Sequence, residues 1–295
     1  LGAGHTIANN GPYSKVVKKG VDALIRGQDN TGKLFHGAQK DDLLYTQAIC
    51  TMALCECLAL DPAYPQLRAR CQKAVDFCVA AQSESGGWKY TPRLDSDTSV
   101  TGWMLMALQS AKTVKMKVPE EAFGMISTYL DAVADGPGVN GRQVVHGSRY
   151  GYMIGDNFDH VMTAEGLLSR MYLGWNPSDE RLRAGCDYLL KEKPPEWPER
   201  DMYYWYHATQ LMFHMEGQYW KTWNSKYRDM LVNNQEKGGI ENGSWNPMGT
   251  GKDEEVGADT WSLVKRGGRL YVTCLSIYML EAYYRHLPLY SDLKK

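Results

Sequence analysis

Residues 73–88 read Lys73-Ala74-Val75-Asp76-Phe77-Cys78-Val79-Ala80-Ala81-Gln82-Ser83-Glu84-Ser85-Gly86-Gly87-Trp88. A basic residue, a small residue, an aromatic, a glutamine and then Gly-x-Trp follow one another, and weaker copies of the pattern return along the chain. Gln28 is preceded by Lys19-Gly20 and followed by Gly32 and Phe35, and Gln235 is followed by Gly243-Ser244-Trp245. Two degenerate copies lie between them, Tyr129-Leu130 ending at Ala134 and Gly185-Cys186-Asp187-Tyr188-Leu189 ending at Lys193. The anchors at 28, 82, 134, 193 and 235 recur roughly every 52 residues, a period that signals a stacked or circular array.

Each Gln-anchored segment ends an amphipathic helix, with Val16, Val17, Val21, Leu24 and Ile25 at helical spacing in the first and Ala74, Val75, Phe77, Cys78 and Ala81 in the second. A turn-rich stretch follows, then a more apolar helix. These second helices are expected to begin near Thr46, Thr101, Thr163, His207 and Thr273. An inner ring of buried helices inside an outer ring with one solvated face accounts for the difference in polarity. No comparable β signal is present. Five hairpins are visible, and Leu1–Pro12 reads as the tail of a sixth whose start lies upstream. The expected organisation is one all-α domain over 1–295 that lacks its first helix. Two long connections, Gly136–Phe158 and Glu236–Arg269, join outer to inner helices and are expected to crowd one end of the ring.

Composition excludes several classes. The chain has 33 Lys+Arg against 34 Asp+Glu, so nothing electrostatic favours nucleic acid or an anionic membrane. No stretch reaches the roughly 18 uninterrupted apolar residues of a membrane helix. The 19 Tyr and 9 Trp outnumber 5 Phe, and aromatics with a polar handle suit a polar-lined cavity. The seven cysteines read as small buried hydrophobes, with Cys50/Cys57 and Cys71/Cys78 seven apart on one helix face, which gives a mild preference for a reducing, cytoplasmic compartment. A first residue other than Met suggests a processed or trimmed chain, so export stays open.

The Gln…Gly-x-Trp pattern resembles the QW repeat of squalene and oxidosqualene cyclases. The hairpin order is similar to the α/α toroid shared by terpene cyclases and protein prenyltransferase β subunits, and the likeness covers nearly the whole chain. The chain looks most like the bacterial prenyltransferase/squalene-oxidase repeat proteins. Shared fold does not deliver shared chemistry.

Asp95-Ser96-Asp97-Thr98-Ser99 follows the best repeat. Ser96-Asp97-Thr98-Ser99-Val100-Thr101-Gly102 is similar, at Ser, Asp and Gly, to the Ser-Asp-Cys-Thr-Ala-Glu-Gly of oxidosqualene cyclases around their protonating aspartate. The resemblance therefore implies Asp97 as a general acid with Asp95 and hydroxyls as partners, and Trp103, Tyr204, Trp205, His207 and Tyr271 as cavity residues. Alkene protonation needs an acid kept protonated in a dry site with aromatic faces for the cation. The competing reading is that Asp97 caps its helix, since Asp, Ser and Thr are preferred there.

Asp156, Asp159 and His160 precede the third inner helix, with Glu165 one turn inside it; they suit either an acid–base site or a capping cluster. Asp76-x-Cys78 is the only pair resembling the prenyltransferase zinc ligands, and its helix puts the two residues on different faces, so no metal is expected. Nor is a cofactor: the glycines of 136–155 do not follow a strand, as a nucleotide loop would. His207 and His214 are two turns apart, too far to share an ion.

The leading expectation is a toroid holding an apolar or isoprenoid-like small molecule, with acid-initiated cyclase chemistry. The alternatives are a non-catalytic scaffold for a protein or glycan partner, and a glycan-processing toroid. A deep aromatic pocket reaching Asp97 favours the first, and a filled centre the scaffold. An open groove with paired carboxylates favours glycan chemistry.

Overall fold

The computed structural model describes residues 1–283 apart from 3, 10, 36, 39, 135–143 and 248–257. Its helices are α1 (Ser14–Gly27), α2 (Leu43–Leu60), α3 (Leu67–Ala80), α4 (Thr98–Thr113), α5 (Glu120–Val133), α6 (His160–Tyr172), α7 (Glu180–Glu192), α8 (Met202–Met215), α9 (Gly217–Asn233) and α10 (Ala258–Leu280). Among the described residues the structure is helical apart from a short antiparallel pair, β1 (Tyr150–Gly151) with β2 (Phe158–Asp159), in the connection before α6.

Polarity sorts the helices into two layers. Helix α4 is buried along nearly its whole length from Thr98 to Ala111, and α8 from Met202 to Met215. Helix α1 buries only Ser14 and Val21, and α9 only Trp223, Tyr227 and Leu231. Helices α2, α4, α6, α8 and α10 pack each on the next, and α3, α5, α7 and α9 cover them. For α2, α6 and α8 the tighter pairing is with the outer helix that follows rather than with the one before, whereas α4 packs about equally on α3 and α5. The connections inside those tighter pairs are short, whereas the repeat turns are long. Helix α2 with the turn before it (Lys40–Leu60) is long and apolar enough to cross a membrane by composition, but it buries Leu44, Ala48, Leu54 and Leu58 in the protein core.

The repeats are locked by their own residues. Gln82 Nε2 donates to Gly86 O (2.7 Å) and to Ala122 O (3.0 Å) in the first turn of α5. Gln28 Nε2 does the same with Gly32 O (3.4 Å) and Arg70 O (2.9 Å) near the start of α3. Trp88 Nε1 donates to Cys78 O at 2.9 Å and Trp245 Nε1 to Leu231 O at 2.8 Å, so both indoles tie the turn to the end of the preceding outer helix. Gly32 (φ +93°) and Gly86 (φ +98°) lie against the backbone of the neighbouring outer helix at Lys73 and Met125, where any Cβ would overlap a carbonyl.

A second bond sets the inner register. The backbone N–H groups of Leu34, Trp88, Tyr150 and Trp245 donate to Gln47, Thr101, Thr163 and Thr273. The threonines near which the inner helices were expected to begin are thus equivalent positions, with Gln47 in place of Thr46. The helices themselves start earlier. Helix α8 begins five residues before His207, because Asp201 caps it through the N–H of Tyr204. Residues 258–267, expected to be loop, are helical up to a kink at Gly268 (φ 56°).

Candidate functional site

Asp97, Asp159 and Asp201 hold the same position at the starts of α4, α6 and α8, each accepting the N–H three residues on. For Asp97 the bond is Val100 N to Oδ1 at 2.7 Å; its Oδ2 accepts the hydroxyl of Tyr152 at 2.9 Å. Asp97 is fully buried, and burial lifts its carboxyl to about 6, against the pull of the Val100 and Tyr152 bonds. Asp95 is not its hydrogen-bond partner. That residue turns outward, bonds Ser96 N, and faces Lys89 at 3.5 Å.

Counting from the aligned positions Gln47, Thr101, Thr163, Trp205 and Thr273 brings out two tiers. Two residues before them stand Tyr45 on α2, Ser99 on α4, Tyr203 on α8 and Tyr271 on α10; two residues after stand Trp103, Glu165 and His207. These side chains meet. Tyr45 Oη donates to Ser99 Oγ at 2.7 Å, and Ser99 Oγ bonds Tyr203 Oη. Tyr203 Oη accepts from Trp103 Nε1 at 2.9 Å and donates to Glu165 at 3.2 and 3.3 Å. Glu165 Oε1 lies 3.6 Å from His207 Nε2. Trp103 stacks on Tyr206 (centroids 5.5 Å apart) and meets the edge of His207. Gly102 is what lets Glu165 lie against α4, since a Cβ there would overlap its carboxyl oxygen.

The electrostatics of this cluster follow from burial. Glu165 and His207 are 1% and 0% exposed. Burial raises Glu165 well above the usual carboxylate range, with the charges of Asp97 and Asp159 adding to it and the Tyr203 bond opposing. Burial also lowers His207 to about 3. Burial therefore favours the neutral carboxyl of Glu165 and the neutral imidazole of His207. Among the described residues, neither nitrogen of His207 has a hydrogen-bond partner, nor does the Tyr271 hydroxyl.

Of the residues singled out in the sequence, Trp103 and His207 are in this cluster, and Tyr271 adjoins α8 from α10. Tyr204 and Trp205 are not. They turn to the other face of α8, where Tyr204 meets Trp223 and His160 and bonds Lys193 O, and Trp205 meets Trp197. His160 goes with Tyr204, and burial lowers it to about 4. Asp159 is a cap, and Asp156 holds the N–H of Met153 in the turn before β2. The group read together before the third inner helix therefore disperses, and only its Glu165 reaches the centre. His214 lies against Tyr172 and Phe213. Asp76 is exposed and bonded by Gln72, while Cys78 is buried beside Thr51. All seven cysteines are free thiols.

Tyr45, Ser99 and Tyr203 were not named from sequence as site residues. The signal that finds them is a shared offset from equivalent positions of the inner helices, Gln47, Thr101 and Trp205, an equivalence that the bonds to Gln47 and Thr101 and the caps at Asp97 and Asp201 reveal only in three dimensions. Compared with protein-family models and with curated proteins, the chain matches none.

Proposed function

We propose that the chain is an α/α toroid of the squalene-cyclase kind, taking an apolar or isoprenoid-like molecule at its centre with Glu165 as the acid. Curvature supports the toroid. In a flat row, α4 and α8 would lie two interhelical spacings apart, roughly 16–20 Å. Ser99 nevertheless bonds Tyr203 and Trp103 stacks on Tyr206, so the row bends until alternate helices touch.

The observation that carries the site is the unpartnered His207 beside a protonated Glu165 among aromatic rings. A buried polar group left without a partner costs about 1–3 kcal/mol, so several in one place suit a molecule that satisfies them. An acid kept neutral by burial can protonate an apolar molecule, and the faces of Trp103 and Tyr206 favour a cation formed beside it.

The test is binding. A fifteen-carbon isoprenoid alcohol should raise the melting temperature by several degrees and change tryptophan emission saturably, and both effects should weaken in Trp103→Ala. Organic extraction and native mass spectrometry of the purified protein would identify a resident molecule. No shift with the isoprenoid or with a straight-chain alcohol of equal length, together with an empty extract, would sink this reading.

A second reading, a non-catalytic scaffold, has its own support. Asp97 spends both oxygens on Val100 and Tyr152, and the Trp103–Tyr206 stack fills space that a ligand needs.

A further inference from the structure

The buried hydroxyls beside Glu165 form a chain with a single direction. Tyr45 donates to Ser99. Tyr203 spends its one proton on Glu165, so in the bond between Ser99 and Tyr203 the donor must be Ser99. Every O–H from Tyr45 inward therefore points toward Glu165. The hydrogen-bonded chain ends at Glu165, and His207 Nε2 lies beyond it at 3.6 Å, outside hydrogen-bond distance. Ser99, Tyr203, Glu165 and His207 are at most 5% exposed, and Tyr45 is the one member not fully buried.

From this geometry we infer that Tyr45, Ser99 and Tyr203 are a proton relay that recharges Glu165 from the Tyr45 side. An acid this deeply buried has no direct exchange with water, so a single proton donated would leave it spent. The relay closes the cycle. When Glu165 gives up its proton, its carboxylate takes the phenolic proton of Tyr203, and Tyr203 takes the hydroxyl proton of Ser99. Ser99 takes that of Tyr45, whose hydroxyl is turned inward on Ser99, so Tyr45 takes one from water only when its partly exposed ring swings outward. At each link one O–H bond breaks and one forms, and the net change is one proton moved from water to the acceptor. Trp103 Nε1 is the fixed donor to Tyr203 Oη and does not transfer its proton; it orients that hydroxyl between Ser99 and Glu165.

This relay rests on Glu165 as the acid of the proposed site, but its test needs no ligand. Infrared difference spectra at pH 8 should show a protonated carboxyl band that disappears in Glu165→Gln and persists in Asp97→Asn. On transfer to D2O that band should shift rapidly in the parent. In Ser99→Ala and in Tyr45→Phe the shift should slow by about tenfold or more, which corresponds to about 1.4 kcal/mol on the barrier. Both substitutions keep the packing nearly unchanged, and circular dichroism would verify the fold of each. Absence of a Glu165-dependent band, or equal exchange rates in the parent and both variants, would overturn the relay. Failure of isoprenoid binding would leave these spectra unaffected, so the two ideas fail separately.

Discussion

At Asp97 one oxygen holds the N–H of Val100 and the other the hydroxyl of Tyr152, and the same capping bond recurs at Asp159 and Asp201. Burial lifts this carboxyl from 3.8 to about 6, which has a measurable consequence. The folded state binds the proton more tightly than the unfolded chain. The associated stability is complete below about 4 and is lost as pH rises through about 6. The lift is worth about 3 kcal/mol at most. Asn caps about as well as Asp and does not titrate. Asp97→Asn should therefore match or exceed the parent at pH 8 and fall behind it at pH 4, as read by urea unfolding at each pH. A stability difference independent of pH would show that Asp97 does not titrate in that window. The aspartate was legible in the sequence, and so was its choice between cap and acid. Glu165 was visible only as a residue one turn into a helix; nothing local says that Gly102 of another helix makes room for it.

Between elements, the repeat glutamines act as clasps. Gln82 bridges its own turn and the first turn of α5, and Gln28 does so for α3, whereas among the described residues Gln235 bonds only Gly243 within its own turn. Gln82→Leu leaves two carbonyls without their donor and should cost about 1–3 kcal/mol, seen as a lower melting temperature with the central site intact. Gln235→Leu, at a more exposed position that reaches no neighbouring helix, should cost clearly less. Equal losses, or none, would mean that the clasp between hairpins is not what the glutamine supplies. These segments were readable because the motif is local: a glutamine, a glycine with positive φ and an indole are all set within a few residues. The start of α8 was misplaced because Tyr203 to His207 are uniformly apolar or aromatic, and hydrophobicity alone does not mark the cap at Asp201.

At the scale of the molecule, side chains of α4 reach those of α8 across the site, as the proposed toroid requires. A single compact domain of 295 residues has a radius of gyration of about 19 Å, and an open superhelical row of the same hairpins would be larger. Small-angle scattering well above that value would contradict the toroid. Sequence by itself determined the helical class, the two polarities of helix and the repeat period, because each arises from contacts between residues close along the chain or from periodic burial; the register of the inner helices it gave at Thr101, Thr163 and Thr273 but not on α2 or α8. Which side chains meet in the middle was decided by the tertiary structure alone. Ser99 and Tyr203 lie 104 residues apart along the chain, and whether Tyr203 or Tyr204 faces Glu165 depends on the rotation of α8, about 100° per residue. A uniformly apolar helix carries no polar face to reveal that angle; only packing against its neighbours sets it.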